Sequence, residues 1–452
     1  MGPRVPGARR ARARAQHPAA GRGCRRAVTP AVDPTTAGSR WSDLASHRSW
    51  LLGESFRLLD FFRATVGPDG CFVELDDDGR AMPTGCPPAT EPRQSLLTVA
   101  RAVHCYALGE LLGVPGSRTI VARGLDVLWS EHRDRVHGGY VEATGRPSAT
   151  VATKSAYGHA FVLLAASSGI VAGHDVARQI YDDVLEVIGE RFWSDADGAS
   201  REAFSADWDE LEDYRGANSN MHLCEAFLAA SDATGDAELA GRAARIARLL
   251  IDDRARANSW LLPEHYDSSW RADLEYNRDR PDHPFRPYGV TIGHLLEWSR
   301  LVLSTWIATG RSDTWLVEAA AALFDRAVTQ GWDEVHGGFV YTIDWDGAPV
   351  NDDHYWWPVA EGIGASAYLA TLVGAPTYEI WYRRLWDFAS DHLIDHGRGG
   401  WYAQLDASNH RTVHPWYGKP DLYHALQACL LPLVPPAPGL AAQLGRDARG
   451  VT

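Results

Sequence analysis

His137-Gly138-Gly139-Tyr140-Val141 recurs further along the chain as His336-Gly337-Gly338-Phe339-Val340. Each stretch is a tight glycine turn followed by a short aromatic and β-branched run, the pattern of a turn opening into a brief strand. Looser versions are Asp69-Gly70-Cys71-Phe72-Val73, Asp197-Gly198 and Gly399-Gly400-Trp401-Tyr402. Ser259-Trp260-Leu261-Leu262-Pro263 fills the remaining gap in the series without a glycine of its own. Six turns thus succeed one another at intervals of about 60–77 residues, across roughly 41–432.

Helical patterns lie between the turns. Residues 95–112, 156–168, 221–233, 291–308, 315–328 and 359–372 carry apolar residues at three-to-four spacing, and 118–130, 175–190, 237–251 and 376–393 supply partner helices. Each unit is therefore two helices and a short hairpin. No such unit buries its apolar face alone, so the six must pack on one another. The predicted fold is all-α: an (α/α)6 toroid of two concentric helical rings, with short β-hairpins at the helix connections. An open solenoid is the competing architecture, but its units are usually shorter than these. Closure matters for function, because the inner helices converge on one concave funnel, the default place for a small ligand.

The chain has 452 residues, a length that by itself suggests two or three domains. The repeats replace that with one catalytic domain over 41–435, an N-terminal segment 1–40 and a C-terminal tail 436–452. Residues 1–40 hold nine Arg and one acid, a balance of +8, which leaves −22 on the rest of the net −14 chain. They lack the apolar run of a signal peptide and are read as a disordered basic tail or a misassigned start. So acidic a body repels a phosphate backbone, which argues against a nucleic-acid enzyme. There is no apolar run long enough for a transmembrane helix. The six cysteines form no CxxC pair or ligand spacing, which fits unpaired thiols in a cytoplasmic protein and no metal site. Asp76-Asp77-Asp78-Gly79 lacks the closing Glu of a calcium loop and reads as a solvated turn. No phosphate-binding, dinucleotide-binding or serine-hydrolase motif is present.

Polar groups concentrate in a few apolar segments. Arg101 interrupts the helix around Leu96, Leu97, Val99 and Val103, either as a snorkelling cation or as one facing the funnel. Asn218 and His222 share one helix face in Arg215–Glu225, although Asn218 also suits a helix N-cap. In Phe285-Arg286-Pro287-Tyr288-Gly289…Gly293-His294-Leu295-Leu296-Glu297, a glycine-containing loop enters a helix with His294 and Glu297 three apart, a spacing that would let the carboxylate orient the imidazole. Trp356-Trp357 and Glu361 offer indole faces for sugar C–H groups and an acceptor for hydroxyls, or else core filling between the rings. Trp416, Lys419, Asp421, His424 and Gln427 lie in a fourth polar segment. Only two lysines exist, Lys154 and Lys419, and both sit near such motifs, Lys154 three residues before Tyr157. His137 and His336 read as turn residues.

These motifs, taken together over about 45–432, resemble the N-acylglucosamine 2-epimerase superfamily, a family of (α/α)6 barrels. The stretches FRPYG-x-T-x-GH-x-x-EWSR and GKPDLYHALQ look most like its aldose–ketose isomerase branch. The resemblance implies cofactor-independent interconversion of D-mannose and D-fructose through a cis-enediolate, on a monosaccharide bound to a monomer or homodimer. It implies His424 as the base at C2, and His294 as a second acid/base oriented by Glu297. Arg101, Asn218 and His222 would hold O1 and O2, while Tyr157, Arg286 and Gln427 would bind the outer hydroxyls. A base of pKa near 7 suits this proton transfer, and the developing enediolate needs donors in a dry pocket. No metal or redox cofactor is called for. Sugar 2-epimerisation and sulfoquinovose isomerisation on the same site are the near alternatives. An (α/α)6 glycoside hydrolase using Glu297 and Glu361, or a non-catalytic sugar-binding module, is the distant one.

Overall fold

The structure is a computed structural model that describes residues 39–450 except 68–69, 83–93, 145–152, 413–416 and 420–421. Thirteen α-helices are found among the described residues: α1 (Ala45–Phe61), α2 (Leu96–Leu111), α3 (Ser117–Val127), α4 (Ala156–Val171), α5 (Asp175–Val187), α6 (Ala217–Thr234), α7 (Ala237–Ala247), α8 (Ile292–Ala308), α9 (Trp315–Gln330), α10 (Trp356–Leu372), α11 (Pro376–Phe388), α12 (Tyr423–Leu430) and α13 (Leu440–Gly450). The even-numbered helices form the inner ring. Contacts run from α2 to α4, α6, α8, α10 and α12 and return to α2, so the ring is closed. The outer ring is α1, α3, α5, α7, α9 and α11, each packed mainly on one inner helix, with α1, α7 and α9 also touching the next. The two-ring toroid read from the repeats is the fold observed.

Sequence composition sorts the rings. α4 is buried along nearly its whole length, as an inner helix covered on all sides must be. α5 buries only Ala177, Ile180, Tyr181 and Val184, one stripe at helical spacing, and turns its charged side outward. The outer helices α3, α5, α7 and α11 end in a wider π-turn before the chain reverses. The expected glycines, including Gly70, Gly138, Gly139, Gly198, Gly337, Gly338, Gly399 and Gly400, take positive φ at the reversals. In the glycine-free unit, Ser259 and Trp260 take it instead, at φ 56° and 67°.

The hairpins stitch the mouth of the barrel. The short strand entering each inner helix pairs antiparallel with the hairpin of the following unit: Gln94–Ser95 with Ala143–Thr144, Thr153–Ser155 with Ala203–Ser205, and Arg215–Gly216 with His265–Tyr266. Val290–Thr291, Val340–Ile343, Pro349–Tyr355 and Gln404–Leu405 join into one four-stranded sheet by the same rule. The sixth link is a bridge from Lys419, just before α12, back to Leu75 in the first hairpin. At the opposite end, 436–452 is not merely the tail expected. α13 packs on α2, α4 and α6, and Ala437 accepts hydrogen bonds from Ser304 and Tyr368. A glycine at 439 lets the chain pass over Ala229, near the end of α6.

Both lysines belong to this scaffold. Lys154 Nζ donates to Asp134 Oδ2 (2.8 Å) and to the Ala206 carbonyl. Lys419 Nζ donates to Asp395 Oδ2 (2.7 Å) and to the Gly399 carbonyl. Asp134 and Asp395 open equivalent hairpins. In a third such hairpin, Asp333 is met by His354 at 4.0 Å. In the first two of these hairpins a lysine ahead of an inner helix thus ties down the aspartate of the preceding turn. Lys419 also lines the cavity, but its charge is spent on Asp395.

Removing one partner of so buried a pair leaves an uncompensated charge. Lys154→Met should therefore lower unfolding free energy by about 2 kcal/mol or more, read from urea denaturation midpoints. Burial also holds His47, His104, His132 and His159 down at about 4. Unfolded imidazoles titrate near 6.5. Between those values the unfolded chain binds protons that the folded chain refuses, so stability should fall as pH drops from about 6.5 to 4. Denaturation curves across that range should show the decline; a flat profile contradicts it.

Candidate active site

Six inner-helix N-termini meet at the stitched mouth, and their first turns surround a cavity of about 230 Å³. Leu97, Thr98 and Arg101 come from α2, Tyr157 from α4, Asn218 and His222 from α6. His294 and Glu297 come from α8, Trp356 and Trp357 from α10, and His424 from α12. Pro284, Phe285 and Pro287 of the loop before α8, and Tyr341, form one side of the wall, and Phe62, Thr65, Val73, Glu74, Leu75, Lys419 and Leu422 form another. The sequence-predicted residues that the structure brings together here are thus Arg101, Tyr157, Asn218, His222, His294, Glu297, Trp356, Trp357, Lys419 and His424.

Two of the imidazoles are prepared in the same way. His424 Nδ1 lies 2.8 Å from Glu361 Oε1, and His294 Nδ1 lies 2.8 Å from Glu264 Oε1. A carboxylate oxygen accepts, so Nδ1 is the donor in each neutral ring and Nε2 holds the lone pair. Trp357 lies beside both, its ring 5.3 Å from His294 and 5.7 Å from His424. The indole fits because position 293 has no Cβ: one placed there would overlap its six-membered ring. The sequence reading gave His294 to Glu297 for orientation. The structure corrects this, since Glu297 lies against Arg300 and His222 in the barrel interior while Glu264 reaches His294 from the fourth turn.

Beneath the imidazoles lies a buried charged floor. Glu225, Glu297 and Glu361 surround Arg300, with Arg300 Nη2 3.4 Å from Glu225, 3.9 Å from Glu297 and 3.2 Å from Glu361. Burial would raise Glu361 and Glu225, but their partners win: Arg300 and His424 hold Glu361 low, and Arg300 and the Tyr423 hydroxyl hold Glu225 low. Glu297 goes the other way. Burial, reinforced by Glu361 and Glu225, pushes its carboxyl well above the usual range, and neither of its oxygens has a hydrogen-bond partner among the described residues. His222 Nδ1 lies 3.7 Å from Glu225 and 3.8 Å from Glu297, too far for hydrogen bonds, and burial lowers this imidazole to about 4. His222 is therefore a neutral ring at ordinary pH. Tyr157 and Phe161 pack against it.

Above the floor, Arg101 donates to the Tyr157 hydroxyl (3.0 Å) and lies over the rings of Phe161 and Tyr423 at 4.5 and 5.3 Å. That cation at the cavity wall suits a developing oxyanion. His222, Glu225 and Glu297 have ligand atoms within 4.8 Å of one another, a spacing a metal could use. Glu225 of that set is already engaged by Arg300 and by the Tyr423 hydroxyl.

Three further expectations are corrected. Arg286 lies outside the central cavity: it pairs with Glu212 (2.6 and 3.0 Å) over the Tyr214 ring, in a neighbouring cavity that shares Tyr157, Asn218 and Phe285 with the first. Gln427 faces the small void beneath the floor, beside His104 and Arg300, one helical turn below His424. Glu361 is the partner of His424 rather than an acceptor of sugar hydroxyls. Trp416 and Asp421 lie outside the described residues. His137 and His336 stay in exposed turns against Asp134 and Asp333. Sequence reasoning missed Glu264, Glu225 and Arg300. Arg300 carried the same signal as Arg101, a cation inside an apolar helix.

A profile of the N-acylglucosamine 2-epimerase (GlcNAc 2-epimerase) family matches residues 70–428. The D-mannose isomerase of Thermobifida fusca is 44% identical over 412 residues, covering 89% of this chain and 98% of that protein. The D-mannose isomerase of Pseudomonas cannabina pv. alisalensis is 43% identical, covering 90% and 97%. A crystal structure of a D-mannose isomerase superposes with a TM-score of 0.78 at 31% identity, covering 85% of this chain and 97% of that one.

Gly293→Ala should push the Trp357 ring off both imidazoles. Turnover should fall at least 10-fold while the unfolding midpoint changes little, because the ring borders the cavity and not the inter-ring core. Tryptophan fluorescence and steady-state kinetics check this; unchanged kinetics would contradict it.

Proposed function

The chain belongs to the N-acylglucosamine 2-epimerase family, and from that premise we propose that it is an aldose–ketose isomerase interconverting D-mannose and D-fructose. The observation that carries this reading is the pair of cavity-lining imidazoles, each held through Nδ1 by a buried carboxylate and both flanking one indole. His424 takes the proton from C2 of the open-chain aldose through Nε2, exchanges it with solvent, and delivers a proton to C1 on the same face. Nδ1–H stays on Glu361, which stabilises the imidazolium as it forms. Arg101, with Asn218 and the neutral His222, holds O1 and O2 of the enediolate. His294, kept in register by Glu264, serves the oxygen protons and ring opening. Trp356 and Trp357 close the sides and exclude water.

A neutral sugar fits better than a sulfonated one. The arginines that could meet a C6 sulfonate are already engaged: Arg286 with Glu212, Arg278 with Glu275, and Arg280 with the Asn277 side chain. A hydrolase reading needs two carboxyl groups facing the scissile bond. Glu361 is turned away and shared between His424 and Arg300, which disfavours that chemistry. The presence of a second prepared imidazole favours one subsidiary activity, slow return of the proton to the other face of C2, giving glucose. The reading extends to a cytoplasmic enzyme, supported by the buried, unbridged thiols of Cys224 and Cys429.

Incubation with D-mannose in heavy water, followed by NMR, should yield fructose deuterated at C1, with a minor glucose signal. His424→Ala and His294→Ala should each lower kcat by more than about 10²-fold. Absence of both fructose and C2 exchange would sink the isomerase reading, and near-normal turnover in both variants would sink the assigned roles.

A further inference from the structure

Resting on that role for His424, we propose that Arg300 is a positioning residue of the reaction: from beneath the pocket it clamps Glu361 so that His424 keeps its hydrogen on Nδ1 and its lone pair on Nε2.

The two oxygens of Glu361 have separate partners. Oε1 accepts from His424 Nδ1, and Oε2 receives both Arg300 Nε and Nη2 at 3.2 Å. Glu361 is only 2% exposed. A carboxylate so buried, deprived of its cation, takes up a proton. Its O–H would then donate to Nδ1 and reverse the bond. The imidazole would carry its hydrogen on Nε2, facing the sugar, where it can accept nothing from C2. The charge on Glu361 therefore selects the tautomer of His424, and Arg300 maintains that charge.

The surrounding groups fit this assignment. Arg300 Nη2 also reaches Glu225, whose other oxygen accepts the Tyr423 hydroxyl. Glu225 and Glu361 thus stay ionised on one guanidinium. Glu297, on the same helix as Arg300 and without a hydrogen bond of its own, is the floor carboxyl that holds a proton. The other titratable or charged groups facing this cluster are Arg101 and His104 on α2, His222 and Cys224 on α6, Tyr368 on α10, and Tyr423 and His424 on α12. None is placed to replace both contacts that Arg300 makes with Glu361. The fork matters as well as the charge, because a single ammonium cannot present two donors in a fixed plane.

The test compares Arg300→Met, Arg300→Lys, Glu361→Gln and the double variant Arg300→Met/Glu361→Gln. In protein carrying ¹⁵N-histidine, with His424 identified by its loss in His424→Gln, the long-range ¹H–¹⁵N pattern should report the Nδ1–H tautomer in the wild type. Arg300→Met should gain the Nε2–H form, and Arg300→Lys a smaller share of it. Arg300→Met should lose about 10- to 100-fold in kcat with KM within about 3-fold, and the acid limb of kcat/KM should move at least one pH unit upward. The double variant should be no more than about 3-fold worse than Glu361→Gln alone, since both changes strike one linkage. If Arg300→Met does not fold, Arg300→Lys and the double variant, which removes the stranded carboxylate, carry the test. Wild-type tautomer and pH profile in a folded Arg300 variant, or additive losses in the double variant, overturn the proposal. An inactive wild type would instead overturn the isomerase reading, and the tautomer spectra would still decide the role of Arg300.

Discussion

Six helical hairpins hide their inner faces only if the sixth meets the first, and this closure governs the molecule. It is achieved twice: by helix packing, where α12 returns to α2, and at the mouth, where Lys419 bridges to Leu75. Everything chemical follows from it. Closure drives six helix N-termini toward one axis, each delivering the side chains of its first turns into a shared space. No single unit contains a site. His424 is useful because α10, in the preceding unit, brings Glu361, and His294 because the fourth turn brings Glu264.

The architecture was legible in the sequence because it is written as repetition. Turn and helix signals are local, and the six turns needed no long-range information. The glycine-free turn at Ser259 was found by its interval alone. The site was legible only in part. Arg101, His222, His294 and His424 stood out as polar groups in apolar helices. Their partners did not, because partnership is decided across the ring. Glu297, three residues from His294, was the natural local choice, yet the rotation of α8 sets it against Arg300 and His222. Glu264, thirty positions away in sequence, arrives through a strand pairing. Lys154 and Lys419 were conspicuous for their rarity, but rarity marked a repeated structural clamp.

The floor of the pocket shows what buried charge is used for. Hydrophobic residues of similar volume often stabilise a core as well as an ion network does. Glu225, Glu297, Glu361 and Arg300 contribute something that packing cannot: a set of protonation states that differ between neighbouring carboxyls of the same kind. Three glutamates within reach of one guanidinium cannot all be ionised at equal cost. Two keep their charge where hydrogen bonds reward it, and the third, without such bonds, is left neutral.

The last helix gives the barrel a direction of traffic. With Ala437 tied to Ser304 and Tyr368, and α13 laid over α2, α4 and α6, the funnel is a well closed at its base. A sugar that enters at the hairpin rim must leave by the same rim. Aldose and ketose therefore queue at one doorway, and each blocks the arrival of the other until it has gone.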